Sequence, residues 1–178
     1  MNTILLTSEN FIKSVCSISD NISGKYMLPA IREAQEIDLK SVVGSKLLEK
    51  IKQMIEDGSI KSPENLPYKE LLDKVQYYLA YIVISRLCVL TSFKLDNAGV
   101  NRASDENMEP VPIGEVYNLK EYYQKKADYY CLEIQLYILD HKSSYPEISE
   151  NDCRRINANL YSAASGGLWL GGARGKRR

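Results

Sequence analysis

Few residues of this chain have the types and spacing that catalysis requires. The single histidine, His141, follows Asp140, but no motif ties a serine or cysteine to this pair. The pattern places His141 at a helix C-terminus, where histidine usually interacts with the helix dipole. The carboxylates of Glu33, Glu36 and Asp38 could form a general-acid pair, but charges at this spacing are normally the solvated face of an amphipathic helix. We therefore expect that the protein is not an enzyme.

The cysteines and glycines offer no cofactor site either. The four cysteines lie far apart, and with only one histidine they form no zinc-binding pattern. No glycine-rich phosphate loop precedes a helix. Cys88 and Cys131 fall within apolar helical patterns and are expected to be small buried side chains. The sequence thus predicts no cofactor and no metal, and reduced thiols in an intracellular setting.

The C-terminal segment, residues 166–178, carries the clearest functional signal. It contains the only tryptophan, a leucine on each side of it, five of the ten glycines, and a basic end without a single acid. Glycines make such a segment too flexible to fold alone, while its apolar centre is unfavourable in water. We interpret it as a partner-binding tail; the alternative is an unstructured chain end. The residues assigned to binding are Leu168, Trp169, Leu170, Arg174, Lys176, Arg177 and Arg178.

Charge is balanced over the whole chain but uneven along it. The 23 basic and 23 acidic residues give a formal net charge of zero. Because residues 174–178 carry four positive charges, residues 1–173 sum to minus four. Bulk charge therefore argues against nucleic-acid binding by the body, and any attraction to a polyanion would be local to the tail.

No membrane segment is expected. The most apolar run, residues 75–93, has Arg86 near its middle and a helical stripe, which favours a buried core helix over a membrane span. The apolar residues 1–6 lack the basic flank of a signal peptide.

Apolar residues that recur every three or four positions predict a mostly helical chain. Ser8 or Thr7 is expected to cap the first helix, Asp38 to cap a short turn that ends at Gly44, and Ser45 to cap the third helix, which Gly58 ends. Residues 59–67, with two prolines, are predicted to form a loop. The predicted helices cover about residues 8–17, 24–36, 46–57, 68–93, 116–141 and 149–160.

Two of these helices are expected to form the centre of the fold. The helix at 68–93 is predicted to be the longest, and it is apolar beyond a single stripe, which indicates a central helix or one that also packs on another subunit. Thirteen tyrosines against two phenylalanines suit a protein interface, although a wet core boundary would explain them equally well. The stripe of the helix at 116–141 is predicted to comprise Leu119, Tyr123, Ala127, Tyr130, Ile134, Tyr137 and Ile138.

Between these helices, residues 94–114 show no helical pattern. Asn97 and Gly99 provide turn chemistry, and Pro110 and Pro112 favour an extended return. A connection of this length is uncommon in a compact domain unless it is functional, so we interpret it as an interface arm. The fold class predicted is all-α: a small helical bundle with a long inter-helix loop or hairpin arm and an extended C-terminal tail. Residues 1–148 would be the helical domain, and residues 149–178 a linker, a weak helix and the basic tail.

Three segments resemble the small head–tail connector proteins of tailed phages, particularly crAss-like and other phages of Bacteroidetes. Residues 25–44, KYMLPAIREAQEIDLKSVVG, are similar to the opening helix and leucine-rich turn of that family. Residues 80–100, which end in TSFKLDNAGV, resemble its long helix running into an arm, and residues 122–145 resemble its aromatic helix. The resemblance covers roughly residues 20–148 and rests on size and helix order.

The resemblance implies a structural virion protein without enzymatic activity. Such connectors form a homo-oligomeric ring, a dodecamer that matches the portal, which extends the DNA channel at the capsid–tail neck and is assembled in the host cytoplasm. The implied partners are the portal protein and neighbouring neck or tail proteins, with non-specific contact to packaged DNA left open and no membrane involved. From the residues alone, the alternative is a small helical nucleic-acid-binding accessory protein that uses its basic tail weakly and in a salt-sensitive way.

Overall fold

The computed structural model describes residues 4–18, 22, 24–96, 99–102 and 111–164, and among these it describes no side chains for residues 94–96, 99–102 and 158–164. This part of the chain is an all-α bundle with one short hairpin, as the periodicity predicted. Within it, no helix combines the length and apolar character that crossing a membrane requires.

The first helix, α1, covers Glu9–Cys16 and is capped as predicted. The Ser8 hydroxyl accepts a hydrogen bond from the Phe11 backbone N–H at 3.2 Å. Ser17 ends the helix in the left-handed conformation, with φ 51°. Ile12 and Cys16 turn inward and are buried, so α1 lies against the core through one face.

The second helical region is longer than predicted. Helix α2, Gly24–Glu33, continues as a π-helix over Ala34–Leu39 and then as α3, Lys40–Val43, until Gly44 ends it at φ 84°. The expected end near Glu36 and the expected cap at Asp38 are therefore wrong. The Asp38 carboxylate instead accepts hydrogen bonds from Arg86, which lies 48 residues away.

Helix α4 covers Ser45–Glu56 and turns one apolar face inward. Leu47, Leu48, Ile51 and Met54 are buried. Ser45 is not the cap: it is the first helical residue, and the N-cap position is Gly44. Beyond the helix, Gly58 has φ 75°, in agreement with its predicted role as a stop signal.

The predicted loop after α4 contains two short 3-10 turns, Ser59–Lys61 and Pro63–Asn65. Helix α5 then begins at Leu66 and extends to Leu90. It starts earlier than expected because Pro67 fits its first turn, where the missing N–H costs nothing.

Helices α5 and α6 form the centre of the bundle. Helix α6 covers Ile113–Asp140 and, with 28 residues, is longer than the 25-residue α5, so the prediction that α5 is the longest helix is wrong. The two helices run antiparallel in close contact along their length. The spacing of its apolar residues predicts a buried stripe on α5, and six of the eight predicted members are buried, together with Tyr78 and Ile84; the six are Leu71, Val75, Leu79, Ile82, Val83 and Leu87. The other two differ: Leu72 is only partly buried and Leu90 is 48% exposed.

Some residues of these helices lie elsewhere than predicted. Leu119 is 49% exposed, not part of the α6 core stripe. Helix α5 does not reach Phe93, because the hydroxyls of Thr91 and Ser92 donate to the carbonyls of Leu87 and Cys88 and close its last turn. Cys88, like Cys131, is only half-buried.

A β-hairpin follows α5, within the segment predicted to be an arm. Strand β1, Phe93–Asp96, pairs antiparallel with β2, Gly99–Arg102. Phe93 lies opposite Arg102, and Asp96 lies opposite Gly99. The hairpin-arm form of the prediction is therefore the one that the chain adopts, although α6 begins at Ile113, inside the range predicted for the arm.

Helix α7, Glu150–Ala164, packs back on the bundle. Ser149 and Asp152 cap it reciprocally: the Ser149 hydroxyl accepts from the Asp152 N–H at 3.2 Å, and Asp152 accepts from the Ser149 N–H at 3.1 Å. Cys153 and Ile156 are buried in the common core. Ahead of the helix, the buried Tyr145 donates to the Pro67 carbonyl at 2.8 Å.

Candidate interaction surface

Most of the predicted binding residues lie outside the described residues. This is true of Asn97 in the arm and of the whole tail set, which is Leu168, Trp169, Leu170, Arg174, Lys176, Arg177 and Arg178. Gly99 is described through its backbone, as the first residue of β2.

The three carboxylates that could have formed an acid pair are each held in an ion pair. Asp38 accepts from Nε and Nη2 of Arg86 at 2.9 and 3.0 Å, and Glu33 accepts from Nη1 at 3.1 Å. Glu36 accepts from Lys52 at 2.8 Å. The hydrogen bond from the Lys52 ammonium keeps the pKa of the Glu36 carboxyl below its usual value. These groups therefore tie the α2–α3 region to α5 and α4.

The π-helix also places a buried amide against the N-terminal segment. Gln35 is fully buried; its Oε1 accepts from the Leu6 N–H and its Nε2 donates to the Ile4 carbonyl, both at 2.9 Å. Gln76 on α5 donates to the Leu6 carbonyl at 2.9 Å. The side chains of two glutamines thus satisfy backbone groups of residues 4–6, as a neighbouring strand would do in a sheet.

The histidine and two of the cysteines have structural surroundings in the described part of the chain. His141 stacks on Tyr137 with ring centroids 4.1 Å apart, and its Nδ1 lies 3.1 Å from the Tyr137 carbonyl. Burial raises the pKa of both Cys16 and Cys131 to about 11, the opposite of an activated thiol. Among the described residues, no three metal-binding side chains converge on one point.

One small cleft opens between Gly44 at the start of α4 and Asp152 of α7. Its volume is about 140 Å³, and Lys46 and Glu147 contribute opposite charges to its lining. Sites for cofactors and drug-sized ligands are roughly 300–1,000 Å³, so this cleft is too small for them.

An exposed apolar stripe runs along one face of α6 and is here called the outer stripe. Its members are separated by seven, three and four residues, and they lie on the face opposite the buried Ala127, Ile134 and Ile138. Their exposed fractions are between 38% and 58%, so each presents much of its side chain to solvent. The outer stripe consists of Tyr122 (52%), Tyr129 (58%), Leu132 (38%) and Leu136 (41%).

A ladder of aromatic rings borders the outer stripe and gives it a rigid base. Tyr130 stacks between Tyr77 and Tyr81, at centroid distances of 5.3 and 5.6 Å. The Lys126 ammonium lies 4.3 Å from the Tyr122 ring centroid and 5.2 Å from that of Tyr81. The aromatic side chains therefore pack against one another on this side of α5 and α6.

A second apolar group, here called the arm base, lies where the hairpin meets the helix pair. It combines the C-terminal end of α5 with the residues that lead into α6. Its exposed fractions are similar to those of the outer stripe. The arm base consists of Leu90 (48%), Val111 (55%), Ile113 (37%) and Tyr117 (48%).

The sequence reasoning missed part of this surface. Tyr122 and Tyr129 were expected only to widen the core stripe of α6, and Leu132 and Leu136 were not singled out. The available signal was the heptad spacing of Tyr122, Tyr129 and Leu136, which defines a second apolar line along the helix. A helix with two apolar lines has one line in its own core and a second that this core does not cover.

Comparison with known proteins gives one match, to a family of unknown function, DUF6712, over residues 39–158. The matched range begins at the end of the π-helix and extends into α7, so it includes the outer stripe and the arm base and stops before the tail. No curated protein and no solved structure matches the chain.

Proposed function

The chain belongs to the DUF6712 family of unknown function, and we propose that it is a structural virion protein: a connector that forms a ring beneath the phage portal, extends the DNA channel and offers a docking surface for tail assembly. In this proposal it is not an enzyme, and its partners are further copies of itself, the portal protein and the adjoining neck or tail proteins. Its place is the capsid–tail neck of the virion.

The observation that carries this proposal is the outer stripe of α6. Two tyrosines and two leucines, aligned on one side of a 28-residue helix, are exposed although the chain has a complete core elsewhere. Contiguous apolar patches on a soluble domain are most often sites of association. Aromatic residues are enriched at such interfaces, and charged residues are depleted at their centre.

The arrangement of the apolar surface suits a ring better than a simple dimer. A closed ring requires two different patches on each copy, because the front of one subunit meets the back of the next. The outer stripe and the arm base are two such patches on different parts of the α5–α6 pair. Their separation supports a head-to-tail contact between copies.

Placement beneath the portal is supported by the sequence resemblance to phage connectors and by charge. Residues 1–173 sum to minus four. A body of this net charge repels DNA, which suits a channel wall, because a channel that held DNA tightly would hinder its passage. We therefore assign the four basic charges at the C-terminus to an acidic surface of a neighbouring protein and not to DNA.

The decisive experiment is assembly with the portal of the same phage. The mass of the full-length chain should be measured in solution, alone and with the portal present. We expect the chain to join portal particles as a ring of many copies of the 20.2 kDa subunit. A chain that stays monomeric or dimeric with the portal and binds duplex DNA instead would favour the nucleic-acid-binding alternative and contradict the proposal.

A further inference from the structure

We propose that the outer stripe of α6 is the docking site for the Leu168-Trp169-Leu170 segment of a second copy. This inference rests on the proposed function, because it identifies one of the two halves of the ring contact. It also commits the tail to a role as the element that links neighbouring copies.

The chemistry of the outer stripe fits the apolar centre of the tail. Leu132 and Leu136 are neighbours one turn apart on α6 and together present an aliphatic surface. Tyr129 lies one turn before Leu132, and its ring contacts the Tyr130 ring edge-on, with centroids 5.3 Å apart. Tyr129 itself is 58% exposed. An indole flanked by two leucines covers such a surface with large apolar area and few rotatable bonds.

The charges near the outer stripe fit the basic end of the tail. Helix α6 contains five acids and three lysines, a net charge of minus two, while the tail contributes plus four. The acids Glu121 and Asp128 lie beside the stripe and are both exposed. Neither acid is held in a close ion pair there: the Glu121 carboxylate is 4.0 Å from the Lys125 ammonium, and Asp128 accepts from Gln124 at 2.9 Å. Lys126 lies over Tyr122, so the ring of Tyr129 is the one that remains for an arginine. Arginine can also stack on an exposed tyrosine ring.

The spacing within the tail matches the spacing along the helix. Arg174 follows Leu170 by four residues, which can span at most about 14 Å. With Leu170 at Leu132, the tyrosines Tyr129 and Tyr122 lie about 4.5 and 15 Å along the helix, at 1.5 Å per residue. One tail can therefore place its apolar centre on the leucines and its first arginine near the tyrosines.

The position of α7 favours the tail of a second copy over that of the same chain. Cys153 and Ile156 of α7 are buried in the core that α6 contacts through Ala127 and Ile138. The outer stripe lies on the opposite side of α6. The four residue steps from Ala164 to Leu168 span about 14 Å at most, little more than the diameter of one helix, about 10–12 Å. This length is too short to carry Leu168 around α6 to the outer stripe of the same chain.

The test uses the fluorescence of Trp169, which is the only tryptophan. In the full-length chain we expect its emission to shift to the blue as protein concentration rises and copies associate. The double variant Leu132→Gln/Leu136→Gln should keep the emission of an exposed indole at every concentration, while its circular dichroism stays unchanged, because both side chains point away from the core. The matched control Leu28→Gln/Ile37→Gln changes two exposed apolar residues on other elements and should behave as the parent does.

A mixing experiment then separates contact between copies from contact within one chain. The Leu132→Gln/Leu136→Gln variant has an intact tail but no docking site, and Trp169→Ala has an intact docking site but no anchor. Mixed together, they should form heterodimers that grow no further, and the single tryptophan of the mixture should shift to the blue.

Three results would overturn the inference. One is an exposed-indole emission of the parent at all concentrations, and another is an unchanged blue shift in the double leucine variant. The third is a blue shift that the parent already shows as a dilute monomer, which would assign the tail to its own chain. If the tail does not dock on the outer stripe but the ring still forms on the portal, this inference is wrong and the proposed function stands. If the tail docks but no ring forms on the portal, the proposed function alone is wrong.

Discussion

Substitution of Gln35 by methionine should destabilise the bundle through the N-terminal segment. The side chains are similar in length, so packing changes little, but methionine can neither accept from the Leu6 N–H nor donate to the Ile4 carbonyl. A buried polar group left without a partner costs about 1–3 kcal/mol. The Leu6 N–H is buried and the Ile4 carbonyl only partly so, and the thioether regains some apolar burial. We therefore expect a loss of about 2–3 kcal/mol in the free energy of unfolding.

The assay is urea unfolding followed by circular dichroism. The midpoint should fall while the dependence of stability on urea stays the same, because the unfolded chain is equally exposed in both proteins. Gln53→Met, at an exposed position of α4, is the matched control and should change stability by less than about 0.5 kcal/mol. Hydrogen exchange at the Leu6 amide should also accelerate in Gln35→Met. If Gln35→Met is as stable as the control variant, the glutamine does not hold this segment.

Three further predictions concern charge, thiols and the arm. The hydrogen bond from Lys52 holds the pKa of Glu36 below its ordinary value of 4.5, so this pair stabilises the fold above pH 4.5 and the stabilisation is lost as the pH falls through the lowered pKa. Lys52→Met should therefore flatten the dependence of the free energy of unfolding on acid pH. A variant whose stability falls with acid as the parent's does would contradict this role of the pair. Cys16 and Cys131, with pKa values raised to about 11, should react with iodoacetamide at pH 8 far more slowly in the folded protein than in urea, as peptide mass mapping can measure; rapid labelling of the native chain would contradict the raised pKa values. Deletion of residues 98–109 should leave helical content nearly intact and prevent assembly with the portal; particles that form normally would rule out the arm as an interface.

The sequence predicted helices well where one local signal was sufficient. The cap at Ser8 and the stop at Gly58 follow from chemistry within four residues, and both are where they were expected. The broad burial of α5 followed from its apolar residues on several sides, which leave only a narrow exposed face that includes Lys69, Asp73 and Tyr77.

The predictions were wrong where a residue far along the chain determines a helix end or the burial of a side chain. The end of α2 was misplaced because Arg86, far along the chain, binds Asp38 and makes a capping role unnecessary. Leu119 fits the periodicity of the core stripe, yet the partner helix does not cover it. Periodicity identifies an apolar line but does not say which of two lines faces the chain's own core, and for that reason the outer stripe of α6 was not foreseen.

The antiparallel α5–α6 pair has a consequence for distances within an assembly. Helix α6 is about 42 Å long, at 1.5 Å per residue; the hairpin joins the pair at one end, and the turn that leads to α7 lies at the other. The length of the pair thus fixes the distance between the hairpin end and the α7 end. Adding one heptad to each helix would lengthen it by about 10.5 Å and rotate its faces by only about 20°. In the proposed connector, the number of helical turns in α5 and α6 would therefore set the axial spacing between the layers that the subunit joins.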